Sequence, residues 1–174
     1  MRARHLLVPL ALTTVLASGA LAAPKPQLTD PKGDYPVAGA DIVSATLSTL
    51  PGAKGKLQID LALAAAPTAY SYSVNFIAGD CSFAAIYYGH PAEGVFSKSG
   101  VGCRVAGSTS LPEGSFKIKG STITFTVPLT GALKKGVTVT DITAGTAPSG
   151  MISGSVAAAL GDNATTNATY KIGS

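Results

Sequence analysis

STITFTVPLTGALKKG, residues 121–136, opens on an uninterrupted alternation. Ile123, Phe125 and Val127 alternate with Thr122, Thr124 and Thr126. A period of two places three large apolar side chains on one face of a strand and three threonines on the other. Pro128 closes the run, because it has no N–H to give to a ladder. Upstream, 115–119 alternates and turns at Gly120-Ser121 into this strand. Downstream, 137–147 reads as a long strand through Val137, Val139, Ile142 and Ala144, with a phase slip near Asp141 that predicts a β-bulge.

The same pattern extends through most of the chain. DIVSATLSTL starts near Asp41 and alternates through Val43, Ala45 and Leu47. Turn residues at 51–55 lead into KLQIDLAL, with Leu57, Ile59, Leu61 and Leu63 on one face, so the two runs form a hairpin. In 69–76, Tyr70, Tyr72, Val74 and Phe76 point inward and Ser71, Ser73 and Asn75 outward. The run 82–88 alternates less cleanly, which predicts a strand covered on both faces. Short strands are expected at 93–98 and 101–106, around Ser99-Gly100, and a last edge strand at Tyr170 and Ile172. Residues 24–40 and 149–168 show no apolar period, and only 156–160 suggests a turn of helix. Turn signals every 8–12 residues predict an all-β fold, a single antiparallel β-sandwich (immunoglobulin-like or jelly-roll-like) of about eight or nine strands.

Residues 1–23 are set apart as a signal peptide. Arg2, Arg4 and His5 precede an apolar run from Leu6 to Leu16, and Ala20-Leu21-Ala22 is a small-x-small cleavage site. The run is too short to cross a ~30 Å hydrocarbon core. No Cys follows the cleavage site for a lipid anchor, and LPEGS at 111–115 lacks the Thr-Gly of a sortase signal. A single domain, 24–174, remains, secreted and of bacterial character. Without Arg2 and Arg4 the 13 basic residues fall to 11 against 9 acidic ones, a net charge of +2. That balance disfavours nucleic acid as a partner. Cys81 and Cys103 are the only cysteines, and an even pair in an exported chain predicts one disulfide.

Several short motifs resemble a known group. Asp30, Pro31, Gly33 and Asp34 form an opening DPxGD, and DIVSAT follows at 41–46. Then come a tyrosine strand (Tyr70, Tyr72, Val74), an alternating strand ending Pro-Leu (Ile123 to Leu129), and Asp162-x-Ala164 before Tyr170-x-x-Gly173. This layout resembles secreted sandwiches related to family 9 carbohydrate-binding modules and to DOMON domains, over residues 28–173. The likeness implies a β-sandwich and a binding role.

Three candidate sites follow. Asp30, Asp34 and Asp41 offer carboxylates to a calcium ion, which takes six to eight oxygens. The resemblance implies Asp162 as a fourth, and an ordinary turn is the competing reading of the same residues. Tyr88 and His90, in YYGH beside Glu93, are candidates for a sugar site, although the tryptophans such modules use are missing: the chain has no Trp. Some DOMON domains hold haem between Met and His, for which only Met151 and His90 are at hand. No GxSxG, HExxH or paired catalytic carboxylates are present, so an enzyme is not expected. The sequence therefore reads as a secreted, non-catalytic binding module for an extracellular glycan or protein, with calcium as the one cofactor to consider. A structural protein of the cell exterior without a small ligand is the alternative.

Overall fold

Two antiparallel sheets face each other, and the alternation in the sequence accounts for both. The structure, a computed structural model, describes residues 24–52, 55–89, 91–103, 106–111, 114–149 and 161–173. The leader expected at 1–23, His90, Met151 and the helical turn expected at 156–160 lie outside the described residues. Among the described residues there are twelve strands, rather than eight or nine: β1 (Leu28–Thr29), β2 (Ile42–Leu50), β3 (Lys56–Leu63), β4 (Tyr70–Ala78), β5 (Cys81–Gly89), β6 (Ala92–Ser99), β7 (Gly107–Leu111), β8 (Phe116–Lys119), β9 (Thr122–Pro128), β10 (Thr138–Pro148), β11 (Asn163–Thr165) and β12 (Tyr170–Lys171). One sheet runs β1-β2-β3-β9-β8. The other runs β11-β10-β4-β5-β6-β7, with β12 also beside β10.

The core lies between the sheets. Ile123, Phe125 and Val127 are fully buried from β9, with Leu57, Ile59 and Leu61 beside them from β3. Tyr72, Val74 and Phe76 oppose them from β4, with Phe83, Ala85 and Tyr87 from β5. Close-packed rings extend the layer: Phe76 on Phe83 at 5.5 Å and Phe83 on Phe96 at 5.6 Å between centroids. Offset ring pairs at such distances add about 0.5–1.5 kcal/mol each beyond burial. The hydroxyl of Tyr72 donates to Gly39 O at 2.7 Å and accepts from Thr68 N–H at 2.7 Å, so its polar end is satisfied inside the core. Gly39 must be small there, because a Cβ would stand 2.5 Å from Ala66 O.

Four expectations are corrected. Val43 is half-buried, and Ile42 is the fully buried residue, because the ladder shifts register between Ile42 and Ser44. Tyr70, expected inward with Tyr72, does pack against the core, half-buried at the end of β4. β5 is covered on one face only: its alternation is regular, but the small Ala85 at an inward position hides it in the sequence. Residues 101–103 form a 3-10 turn instead of a strand, and the strand at that edge is the wholly polar GSTS run before Leu111. Strands β1 and β11 occupy segments that show no period, since each is held by its neighbour's ladder. The bulge expected near Asp141 is present between Thr140 and Thr143, and Asp141 carries φ +49°. The disulfide joins Cys81 to Cys103 with Cα atoms 5.3 Å apart, at the end of the seven-stranded sheet where β4 turns into β5.

Candidate metal site at the acidic end

The opposite end of that sheet, where β10 finishes and β4 begins, gathers the aspartates. Asp30 directly follows β1, Asp34 lies in the turn after it, Asp41 directly precedes β2, and Asp162 directly precedes β11. Asp30, Asp34 and Asp162 each bring one carboxylate oxygen within 4.8 Å of the others. The chain reaches this arrangement through local bonds. Asp30 N–H donates to Val43 O at 2.9 Å, continuing the β1–β2 ladder. Gly33, at φ +92°, donates its N–H to Asp41 Oδ2 at 2.7 Å, which fixes the loop bearing Asp34. Asp162 accepts the Ile42 N–H on Oδ2 at 2.6 Å, tying the C-terminal segment to the first long strand.

Thr146 anchors the same segment. It is 4% exposed, its Oγ1 donates to Ala40 O at 3.1 Å and accepts from Asp162 N–H at 2.9 Å. Gly161 lets the backbone pass: a Cβ there would overlap the Thr146 carbonyl. Neither residue stood out in the sequence, where Thr146 is one threonine among many and the glycine one of 20.

Asp41 is not among the three converging carboxylates; it is 1% exposed, and its Oδ2 accepts the Gly33 N–H. Its Oδ1 is buried with no hydrogen-bond partner among the described residues, and so is Oδ2 of Asp30. Leaving a buried acceptor unmatched costs about 1–3 kcal/mol, more for a charged group. Burial foremost, then the Asp162, Asp34 and Asp41 charges, hold the Asp30 carboxyl above the usual carboxylate range. Asp162 is shifted the same way, again chiefly by burial and further by Asp34 and Asp41, against the partial relief of the Ile42 N–H. Nearby, the Tyr35 hydroxyl lies 3.5 Å from that of Tyr70, and this hydrogen bond, with burial, pushes the Tyr35 phenol up to about 12.

The residues fit a hard cation. Two oxygens on opposite sides of one calcium, each at ~2.4 Å, stand ~4.8 Å apart, the limit that Asp30, Asp34 and Asp162 meet. An all-oxygen set on loops suits calcium; zinc prefers nitrogen and sulfur in a tetrahedron.

Of the second candidate only Tyr88 is among the described residues. Tyr88 is half-buried on the outer face of the seven-stranded sheet, in register with Ser71 on β4 and Glu93 on β6. Its expected companion His90 is not described. A separate groove of about 520 Å³ opens between the two sheets, lined by Tyr87, Glu93, Leu111, Phe116, Lys117 and Ile118.

Comparison with known proteins adds no relative: the chain matches no family model, no curated protein and no solved structure. The likeness to family 9 modules and DOMON domains rests on the sequence motifs alone.

Proposed function

We propose that this chain is a secreted, non-catalytic β-sandwich binding module whose acidic end takes a calcium ion. One observation carries the reading: three carboxylates converge, and a fourth, that of Asp41, is buried and keeps an oxygen without a partner among the described residues. Asp30, Asp34 and Asp162 would hold the ion, with Asp41 bracing the loop through the Gly33 N–H. The ion would supply structural charge balance, joining the N-terminal turn to the segment before β11. No acid–base or nucleophilic pair is assigned, and the carboxylates are already used. Secretion is supported by the leader-like residues 1–23 and by the disulfide, which persists in oxidising surroundings. No helix among the described residues is long and apolar enough to cross a membrane.

The test is a thermal melt of the purified chain in chelator and in calcium, paired with calorimetric titration of calcium. A raised melting temperature with about one bound ion is expected. An identical melt in both buffers and no heat of binding would sink the calcium reading.

A further inference from the structure

The two sheets do not end together on the side of β8. That strand closes the five-stranded sheet and pairs with β9 alone among the described residues. On the facing sheet β7 stops at Leu111, level with Gly94 of β6, so Ala92 and Glu93 lie outside its ladder. The groove of about 520 Å³ opens here. Gly94 lets β6 pass close to β8, since a Cβ there would stand 2.5 Å from Phe116 Cδ1. The register sets Phe116 opposite Phe125 and Ile118 opposite Ile123, so both face inward beside fully buried partners. Phe116 is half-buried against Tyr87, with ring centroids 5.6 Å apart. Ile118 is 43% exposed. A row of the core thus runs out into solvent at Ile118.

The backbone of β8 is open along the same edge. Thr126 N–H donates to Ser115 O at 2.7 Å, and antiparallel bonding alternates, so Lys117 and Lys119 turn their N–H and C=O to β9. Those of Phe116 and Ile118 point away from β9, where no described strand meets them. The outward side chains of this edge, Lys117 and Lys119, are both cationic and exposed. The row of Lys119 holds Thr122, Ala62 and Ser44, with no carboxylate. The row of Lys117 holds Asp60, whose two oxygens accept from Thr124 Oγ1 and Gln58 Nε2. Glu93, across the groove, accepts from Ser110 Oγ at 3.4 Å.

We infer that β8 is a docking edge for an extended segment of another protein, one in which apolar residues alternate with Asp or Glu. The inference rests on the reading of the chain as a binding module and names what it binds. Three features choose the occupant. Unpaired backbone groups on an edge require a strand, and strand addition draws its affinity from main-chain hydrogen bonds. The groove beside Phe116 and Ile118 takes the apolar side chains at every second position of that strand. Lys117 and Lys119 stand beside the positions between, and opposite charges on neighbouring strands favour pairing. A second copy is the wrong partner, because two β8 strands side by side would set lysine against lysine. The lysines therefore guard the edge against its own kind and leave it open to an acidic strand.

The experiment is a fluorescence-anisotropy titration of the purified chain with labelled peptides of about six residues, one alternating Val with Asp and the other Val with Lys. Saturable binding of the Val/Asp peptide with a dissociation constant below about 1 mM is expected, and binding of the Val/Lys peptide about tenfold weaker or less. Ile118→Pro removes an outward N–H while leaving the β9 ladder intact, and should weaken binding about fivefold. Ile118→Ser, which keeps that N–H and loses the apolar contact, should act in the same direction. Lys117→Glu with Lys119→Glu should reverse the preference between the peptides. Thr46→Lys, three strands away in the row of Lys117, should change nothing. Melting temperatures separate lost binding from lost folding, and if Ile118→Pro does not fold, Ile118→Ser and the charge reversal decide. No saturable binding, equal binding of both peptides, or full binding by a folded Ile118→Pro overturns the assignment. Self-association of the free chain that Ile118→Pro abolishes would make a second copy the occupant and overturn it too. A calcium-dependent melt without peptide binding would reject this partner alone; peptide binding without a calcium effect would reject the metal alone.

Discussion

The two ends of the seven-stranded sheet are closed by different means. At the β4–β5 turn a covalent bond joins Cys81 to Cys103, and Gly100, at φ +115°, lets the returning strand pass Asp80 O, where a Cβ would stand 2.5 Å away. At the other end, three carboxylates converge near the buried Asp41, and one oxygen each of Asp30 and Asp41 is buried without a hydrogen-bond partner among the described residues. A disulfide acts mainly by constraining the unfolded chain and needs nothing from the solvent once formed. On the proposed reading the acidic end is conditional, since a cation, or protons, would offset the burial of like charges. One fold thus carries a fixed closure and a responsive one, and the difference is open to experiment.

The core sets the scale of the largest effect. Phe125→Ala removes a fully buried ring from β9 and should cost about 3–5 kcal/mol. Urea melts should show the same loss in chelator and in calcium, because neither closure is touched. Thr124→Ala, on the outer side, loses the 2.6 Å bond to Asp60 Oδ1 and should cost about 1 kcal/mol. Equal losses would mean that the register of β9 is wrong.

Breaking the fixed closure comes next. Cys81→Ser with Cys103→Ser opens a loop with a sequence separation of 22 and should cost about 3 kcal/mol. Its calcium response should match the wild type's. A double variant that no longer responds to calcium would show that the two ends are coupled.

The responsive end follows. Calcium at a hundredfold excess over its dissociation constant should add about 2.7 kcal/mol. Asp34 is exposed, so Asp34→Asn should leave the melt in chelator unchanged and cut the calcium-induced shift by more than half. A full shift in that variant would take Asp34 out of the site.

The smallest effect is the dependence on pH. Asp30 and Asp162 hold protons more tightly folded than unfolded. Their contribution is therefore fully present below the unfolded value of about 4 and is lost as pH rises through the raised folded values. In chelator, Asp162→Asn should be the more stable protein at pH 7, and the gap should narrow as pH falls toward 4. A gap that widens on acidification would reverse the assigned direction. The disulfide end should show no such trend.

What was legible in the sequence follows from who holds each element. β3 and β9 bury large side chains at every second position, so their own residues announce them. β7 and β11 bury little and β1 buries Leu28 alone; all three exist because a neighbour offers a ladder, so GSTSL and NAT carry no readable period. The slip at Asp141 was readable because it displaces large residues; the one at Val43 was not, because Ile42 and Val43 are both apolar. At the acidic end, Asp30 and Asp34 share a local turn and could be read together. That Asp41 is buried, and that Thr146 and Gly161 seat Asp162, depends on contacts between distant segments that no local pattern encodes.

The strands at the rims have a colloidal consequence. β1 and β12 are two residues long and β11 three, β7 is built almost wholly from small polar residues, and β8 carries Lys117 and Lys119 on its outward side. A bare strand rim is a template on which another molecule can add its own strand and begin a fibre; short or positively charged rims discourage that growth. A concentrated solution of the folded chain should therefore remain dispersed, with no thioflavin-positive material on long standing.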